Sequence, residues 1–155
     1  MAVYGERMHN LDDWDWKLLG LLQNDARLGY RELARQSGLS AATVASRVRR
    51  MENTGVIAGY HAKVDPRAAG YGVTAFIVVD TNGRRESFRV AELAAETPAV
   101  LEDHRVTGSD DHVLKVAVAD LADLEPLIDK LNEFGRSATT IVLSSPKPWG
   151  PLDKP

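Results

Sequence analysis

Residues 42–50 hold six side chains whose types suit contact with a polyanion: Ala42, Thr43, Ser46, Arg47, Arg49 and Arg50. If they lie on a helix, at about 100° per residue, Ala42, Thr43, Ser46, Arg49 and Arg50 share one side and Arg47 sits on its flank. Small residues near a helix N-terminus let the backbone approach base edges. Hydroxyls and guanidiniums can then bond phosphates and guanine edges in a DNA major groove. Ala41, Val44, Val48 and Met51 recur at helical spacing and form an apolar stripe for the opposite side.

Two elements must hold that face in place. Residues 31–37 read as a first short helix. Gly38 ends it, because a left-handed backbone position costs glycine little. Leu39 turns an apolar side chain inward, and Ser40 is a good N-cap for the helix that follows. Arginines on a wet face are common on any surface helix. The helix–Gly–Leu–Ser–helix spacing and the local charge separate this one from that background. Residues 27–67 carry eight Lys and Arg against three Asp and Glu, a local +5, within a chain of net charge −3. Such a concentration is the electrostatic footprint of a surface that displaces phosphate counterions.

The chain has 155 residues, enough for one ordinary domain or two small ones, with 44% hydrophobic and 26% charged residues. It has no cysteine, so disulfides, Cys-ligated zinc and thiol catalysis are excluded. No apolar run approaches the roughly 20 residues of a membrane span. The N-terminus has no apolar stretch of the signal-peptide kind. The expected compartment is the cytoplasm, and no cofactor or metal is expected.

Residues 1–10 read as a loose arm. A first helix is expected over 12–24, capped by Asp12 or Asp13, with Leu11, Trp14, Leu18, Leu21 and Leu22 as its inward stripe. Asn53, Thr54 and Gly55 close the arginine-bearing helix, and 56–65 reads as a strand. Strands are expected at 73–80, 101–108, 112–120 and 138–145. A helix over 86–96 carries Phe88, Ala91 and Ala95 on one side. A second, over 121–134, carries Leu121, Leu124, Ile128 and Leu131, with Pro126 tolerated in the first turn after an Asp123 cap. Residues 146–155 contain four prolines and read as an extended tail.

The expected fold is therefore α+β. A three-helix helix-turn-helix domain occupies 11–64, a hinge 65–72, and a ferredoxin-like βαββαβ domain 73–145, followed by the proline-rich tail, 146–155. Two helices cover one face of the sheet. The apolar content of the strands predicts that the other face pairs with a second copy.

Over about residues 11–144 the chain resembles the Lrp/AsnC, or feast/famine, regulators of bacteria and archaea. The resemblance rests on LDDWDWKLLGLLQNDAR, ELARQSGLS, VRRMENTGVIAGYHAKVDPRAAG, VTGSDDHVLKV and TTIVL, in that order and spacing. It implies a DNA-binding transcription regulator, not an enzyme, that forms dimers often assembled into octamers and senses an amino acid or related small molecule through its second domain. It implies DNA contacts from Ala42, Thr43, Ser46, Arg47, Arg49 and Arg50. It maps the family's effector turn onto Thr107, Gly108 and Asp111, with Thr139 or Thr140 nearby. Gly108 would let a ligand approach the backbone, and Asp111 could pair with an α-amino group. Asp110 and His112 stand where family members often carry an aromatic, which implies a more polar pocket or an empty one.

An enzyme alternative shares this architecture. Siroheme decarboxylases are similar in fold and use the second domain's cavity, and His104, Arg105 and His112 would be the candidates here. The outward arginines weigh against it, since such an enzyme has no need of them. A third possibility is an oligomerising scaffold, which predicts no DNA binding even at low salt.

Overall fold

The computed structural model describes residues 10–155. Apart from Asn10, the expected N-terminal arm lies outside them. Two compact units form: one comprises the residues up to Ala62 together with Lys147–Pro155, the other is Lys63–Pro146.

The first unit contains helices α1 (Asp13–Asn24), α2 (Tyr30–Ser37) and α3 (Ala41–Asn53). Asp12 caps α1 in a reciprocal box with Asp15: each carboxylate accepts the other's backbone N–H, at 2.9 and 3.1 Å. Gly38 ends α2 at φ 83°, in the left-handed region. Ser40 caps α3 by accepting the Thr43 N–H at 3.1 Å. Leu18, Leu19, Leu22, Leu33, Val44, Val48 and Met51 form the core, with Leu11, Trp16, Leu21 and Leu39 packed against it.

Two expected core positions are corrected. Trp14 is 41% exposed, with the Lys17 ammonium 5.4 Å from its ring centroid, and Trp16 packs on the core instead. The buried side of α1 includes Asp15 and Leu19, so the helix is turned away from Trp14. On α3, Ala41 is exposed and Ala45, one turn on, is buried beside Val44 and Val48.

Residues 56–65 form no strand; they are irregular and mostly exposed. Their β-branched composition is compatible with pairing, but a ladder needs a second edge and none pairs with them here. The Tyr60 hydroxyl donates to Glu52 at 2.8 Å. The tail is ordered on α1. The Gln23 side-chain amide donates to the Leu152 carbonyl at 3.0 Å and accepts its N–H at 2.7 Å, while Lys154 pairs with Asp13 at 2.6 Å.

The second unit is a four-stranded antiparallel sheet in the order β2-β3-β1-β4, with β1 (Val73–Thr81), β2 (Val100–Arg105), β3 (His112–Val118) and β4 (Gly135–Ile141). Helices α4 (Arg84–Glu96) and α5 (Glu125–Asn132) complete the βαββαβ plan. Ala75, Ile77, Val79, Leu114, Val116 and Val118 alternate onto the helix-covered face and join Val90, Ala94, Leu124, Leu127 and Leu131 in one core.

Helix α4 buries Ser87, Val90 and Ala94, while Phe88 and Ala95 are exposed, which corrects the expected face. Residues 121–124 are a 3-10 turn capped by Asp120 rather than the start of the α-helix. Three residues per turn shift the phase, so Leu121 is exposed and Leu127 is buried. Pro126 sits in the first turn of α5. The last strand starts three residues earlier than the sequence predicts. Gly135 pairs with Thr81, and a Cβ on Gly135 would lie 2.1 Å from the Asp80 carbonyl oxygen. Only glycine lets β4 start that close to β1.

Candidate nucleic-acid interface and effector loop

Helix α3 owes its position to its buried stripe, and that stripe leaves Ala42, Thr43, Ser46, Arg49 and Arg50 exposed, with Arg47 half-buried. Ala42, Thr43, Ser46, Arg47 and Arg50, together with Asp12, line an open depression of about 580 Å³. The Ser40 and Thr43 hydroxyls lie 2.8 Å apart at the helix start.

The three arginines differ in a way their spacing does not reveal. Arg47 donates through one nitrogen to Asp12 at 2.7 Å and to Asp15 at 2.9 Å. Arg50 donates to the other oxygen of Asp15 at 2.5 Å. The Asp15 side chain is buried, and these two guanidiniums are its ion-pair partners. The Asp15 backbone N–H, and then Arg47, hold the Asp12 carboxyl below its usual range. Arg49 is exposed, and among the described residues it has no ion pair. A guanidinium has five N–H donors, so Arg47 and Arg50 keep some for a further acceptor, but their direction is set from α1. Asp12 and Asp15 were not singled out as site residues. Their i, i+3 spacing before an apolar run is the signal that could have marked them.

In the second unit, the loop joining β2 to β3 carries Thr107, Gly108 and Ser109 exposed and Asp110 half-buried. Gly108 has φ 136°, with open space where a Cβ would stand. Asp111 closes the loop. Its N–H donates to the Val79 carbonyl at 2.8 Å, and its carboxylate Oδ2 accepts the Thr81 N–H at 3.1 Å and the Thr81 hydroxyl. The Thr81 hydroxyl is the main reason the Asp111 carboxyl lies below its ordinary range. Oδ1 of Asp111 has no hydrogen-bond partner among the described residues.

His112 is corrected as a pocket-lining residue. It is wholly buried under α4, and both ring nitrogens are engaged: Nε2 lies 2.8 Å from the Ser87 hydroxyl and Nδ1 2.8 Å from Asp103. The alternation that puts Leu114 in the core puts His112 there too. Thr139 and Thr140 also part company. Thr139 pairs with Ile77 on the covered face and Thr140 with Phe76 on the open one. His104 pairs with Val113, which places it on the face opposite His112. The two histidines of the enzyme alternative therefore do not meet.

Comparison with known proteins bears on both units. The model of the AsnC-type helix-turn-helix domain matches residues 11–52, and that of the Lrp/AsnC ligand binding domain matches 74–152. YezC of Bacillus subtilis, named as an uncharacterized HTH-type transcriptional regulator, is 38% identical over 135 residues, 87% of this chain and 95% of that protein. The structure of B. subtilis LrpC superposes with a TM-score of 0.81 at 28% identity, covering 90% of this chain and 99% of that one. The L-Met complex of the transcriptional regulator NMB0573 from Neisseria meningitidis gives a TM-score of 0.83 at 26% identity, covering 94% and 96%.

Proposed function

The chain belongs to the Lrp/AsnC family of transcriptional regulators, and from that premise we propose how its residues do that work. It is a DNA-binding regulator with a ligand-binding domain, not an enzyme. Residues 11–64 form the DNA-binding domain, 65–72 the hinge and 73–145 the sensing domain.

A dimer sets two copies of α3 in successive major grooves about 34 Å apart. Ala42, Thr43 and Ser46 approach the base edges. Arg49 is the free phosphate contact, and Arg47 and Arg50 reach the backbone from positions steered by Asp12 and Asp15. The observation that carries this reading is the exposed Ala42–Thr43–Ser46–Arg49 face on a helix whose other side is fully packed.

In the sensing domain, Thr107, Gly108, Asp110 and Asp111 form the effector loop, with Thr139 or Thr140 contributed through the assembly. The ligand is an amino acid, as the methionine bound by NMB0573 supports. The free Oδ1 of Asp111 accepts its ammonium group. His112 acts behind the loop instead of on the ligand. The open sheet face, with Phe76 41% exposed beside Val78 and Val113, pairs two copies, and the dimers assemble into octamers in the cytoplasm. Occupancy of the loop alters assembly geometry and so the spacing of the DNA-binding heads.

The test is protection of the gene's own upstream DNA, repeated with each of the twenty amino acids. One or more should change the protected pattern, and Asp111→Ala should remove that response while leaving DNA binding intact. No binding even at low salt, where phosphate contacts are strongest, rejects the reading.

A further inference from the structure

Phe88 on α4 is half exposed, and two guanidiniums share its ring. The Arg84 guanidinium lies 5.6 Å and the Arg105 guanidinium 5.9 Å from the centroid. Arg85 follows Arg84 on the first turn of α4. Arg89, one turn on, lies over Phe134 at 4.5 Å. All four arginines are exposed. Among the described residues none of the four makes an ion pair, although the stretch 68–155 carries more acids than bases. Glu86 is the acid within this turn of α4, Asp111 at the end of the adjoining loop feels the Arg105 charge without reaching ion-pair distance, and the nearby Asp103 is already bonded to His112. Two like charges on one ring, with no carboxylate in ion-pair contact, cost self-repulsion unless a partner of opposite sign neutralises them.

We propose that Arg84 and Arg105, which share the Phe88 ring, together with Arg85 and Arg89 on the same helix, form a second DNA-contact surface on the sensing unit, which takes the phosphate backbone of duplex DNA flanking the operator. The partner is duplex DNA because the patch is complementary in charge to the polyanion this regulator already binds. Guanidiniums spread along a helix and an adjoining strand end also match a run of phosphates better than a single small anion. Its contribution is independent of sequence and adds to that of α3.

The experiment uses the full chain and two duplexes containing the protected site: one of about two helical turns and one extended by about six more. The double variant Arg84→Ala/Arg105→Ala should bind the short duplex as the parent does. It should lose about tenfold in affinity for the long one, with the slope of log K against log salt shallower by about 2. Arg84→Lys/Arg105→Lys, which keeps the charge, should retain most of the long-duplex affinity. Three outcomes overturn the proposal. The first is unchanged long-duplex affinity and salt slope. The second is an equal loss on both duplexes, which places the effect in the operator contact. The third is a change in sedimentation coefficient without DNA, which makes the patch an interface between copies. Failure of the parent protein to bind either duplex would instead count against DNA recognition by α3.

Discussion

The guanidinium of Arg47 and the carboxylate of Asp15 meet at 2.9 Å between α3 and α1, and the carboxylate is cut off from solvent. Removing the carboxylate leaves Arg50 without an acceptor and Arg47 with Asp12 alone, and it breaks the α1 capping box. Asp15→Ala should destabilise the first unit by about 2–3 kcal/mol, below the full cost of a buried pair because both arginines are partly exposed. Urea unfolding followed by tryptophan fluorescence reads it. A loss under about 0.5 kcal/mol would show that the pair does not brace the helices.

Arg49 and Arg50 are neighbours with different surroundings. Arg49→Ala should weaken operator binding and flatten the salt dependence by about one unit of slope, with no change in melting temperature. Arg50→Ala should lower both affinity and melting temperature, because it also strips a partner from Asp15. If both variants are silent in stability, the Asp15 contact is not maintained in solution.

Acid should destabilise the chain. Arg35, and then Gln36, hold the Glu32 carboxyl down at about 2, against an ordinary value of 4.5. The Asp15 N–H lowers Asp12, Thr81 lowers Asp111, and Lys115 lowers Glu102. A folded-state value below the unfolded one means the unfolded chain binds more protons as pH falls. The contribution of these groups is complete above about pH 4.5 and is lost as pH drops towards 2. Melting temperature measured from pH 7 downward should be flat and then fall in that window. A rise on acidification would contradict the sign.

The Ser87–His112–Asp103 chain joins α4, β3 and β2 behind the effector loop. His112→Ala should cost about 2–4 kcal/mol, from the cavity and from two polar groups left without partners. Ser87→Ala should cost about 1 kcal/mol. Denaturant unfolding of the second unit's transition measures both. A neutral His112→Ala would mean that Ser87 and Asp103 find other partners. Because His112 is shielded from solvent, its loss should also weaken the ligand response without abolishing it.

Much of this protein is local and therefore readable from the chain. The left-handed Gly38, the Ser40 cap and the Val44–Val48–Met51 stripe are decided by backbone sterics, one hydrogen bond and helical period, all within a few residues. So is the βαββαβ order, which follows from apolar runs and the turns between them. What stayed hidden depends on groups far apart in sequence. Periodicity names a helix's apolar positions but not which flank its neighbours cover, so it took Trp14 for Trp16 and Phe88 for Val90. It puts Arg49 and Arg50 on one side of α3 and Arg47 on the flank, but a carboxylate 35 positions away from Arg50 decides that two are braced and one is free. His112, at the head of its strand, reads as a pocket residue by its place after Asp111. Sheet alternation against α4 turned it inward, where Ser87 and Asp103 already waited as partners. Residues 56–65 have the composition of a strand and form none, because an extended chain becomes a strand only when another edge completes its hydrogen bonds.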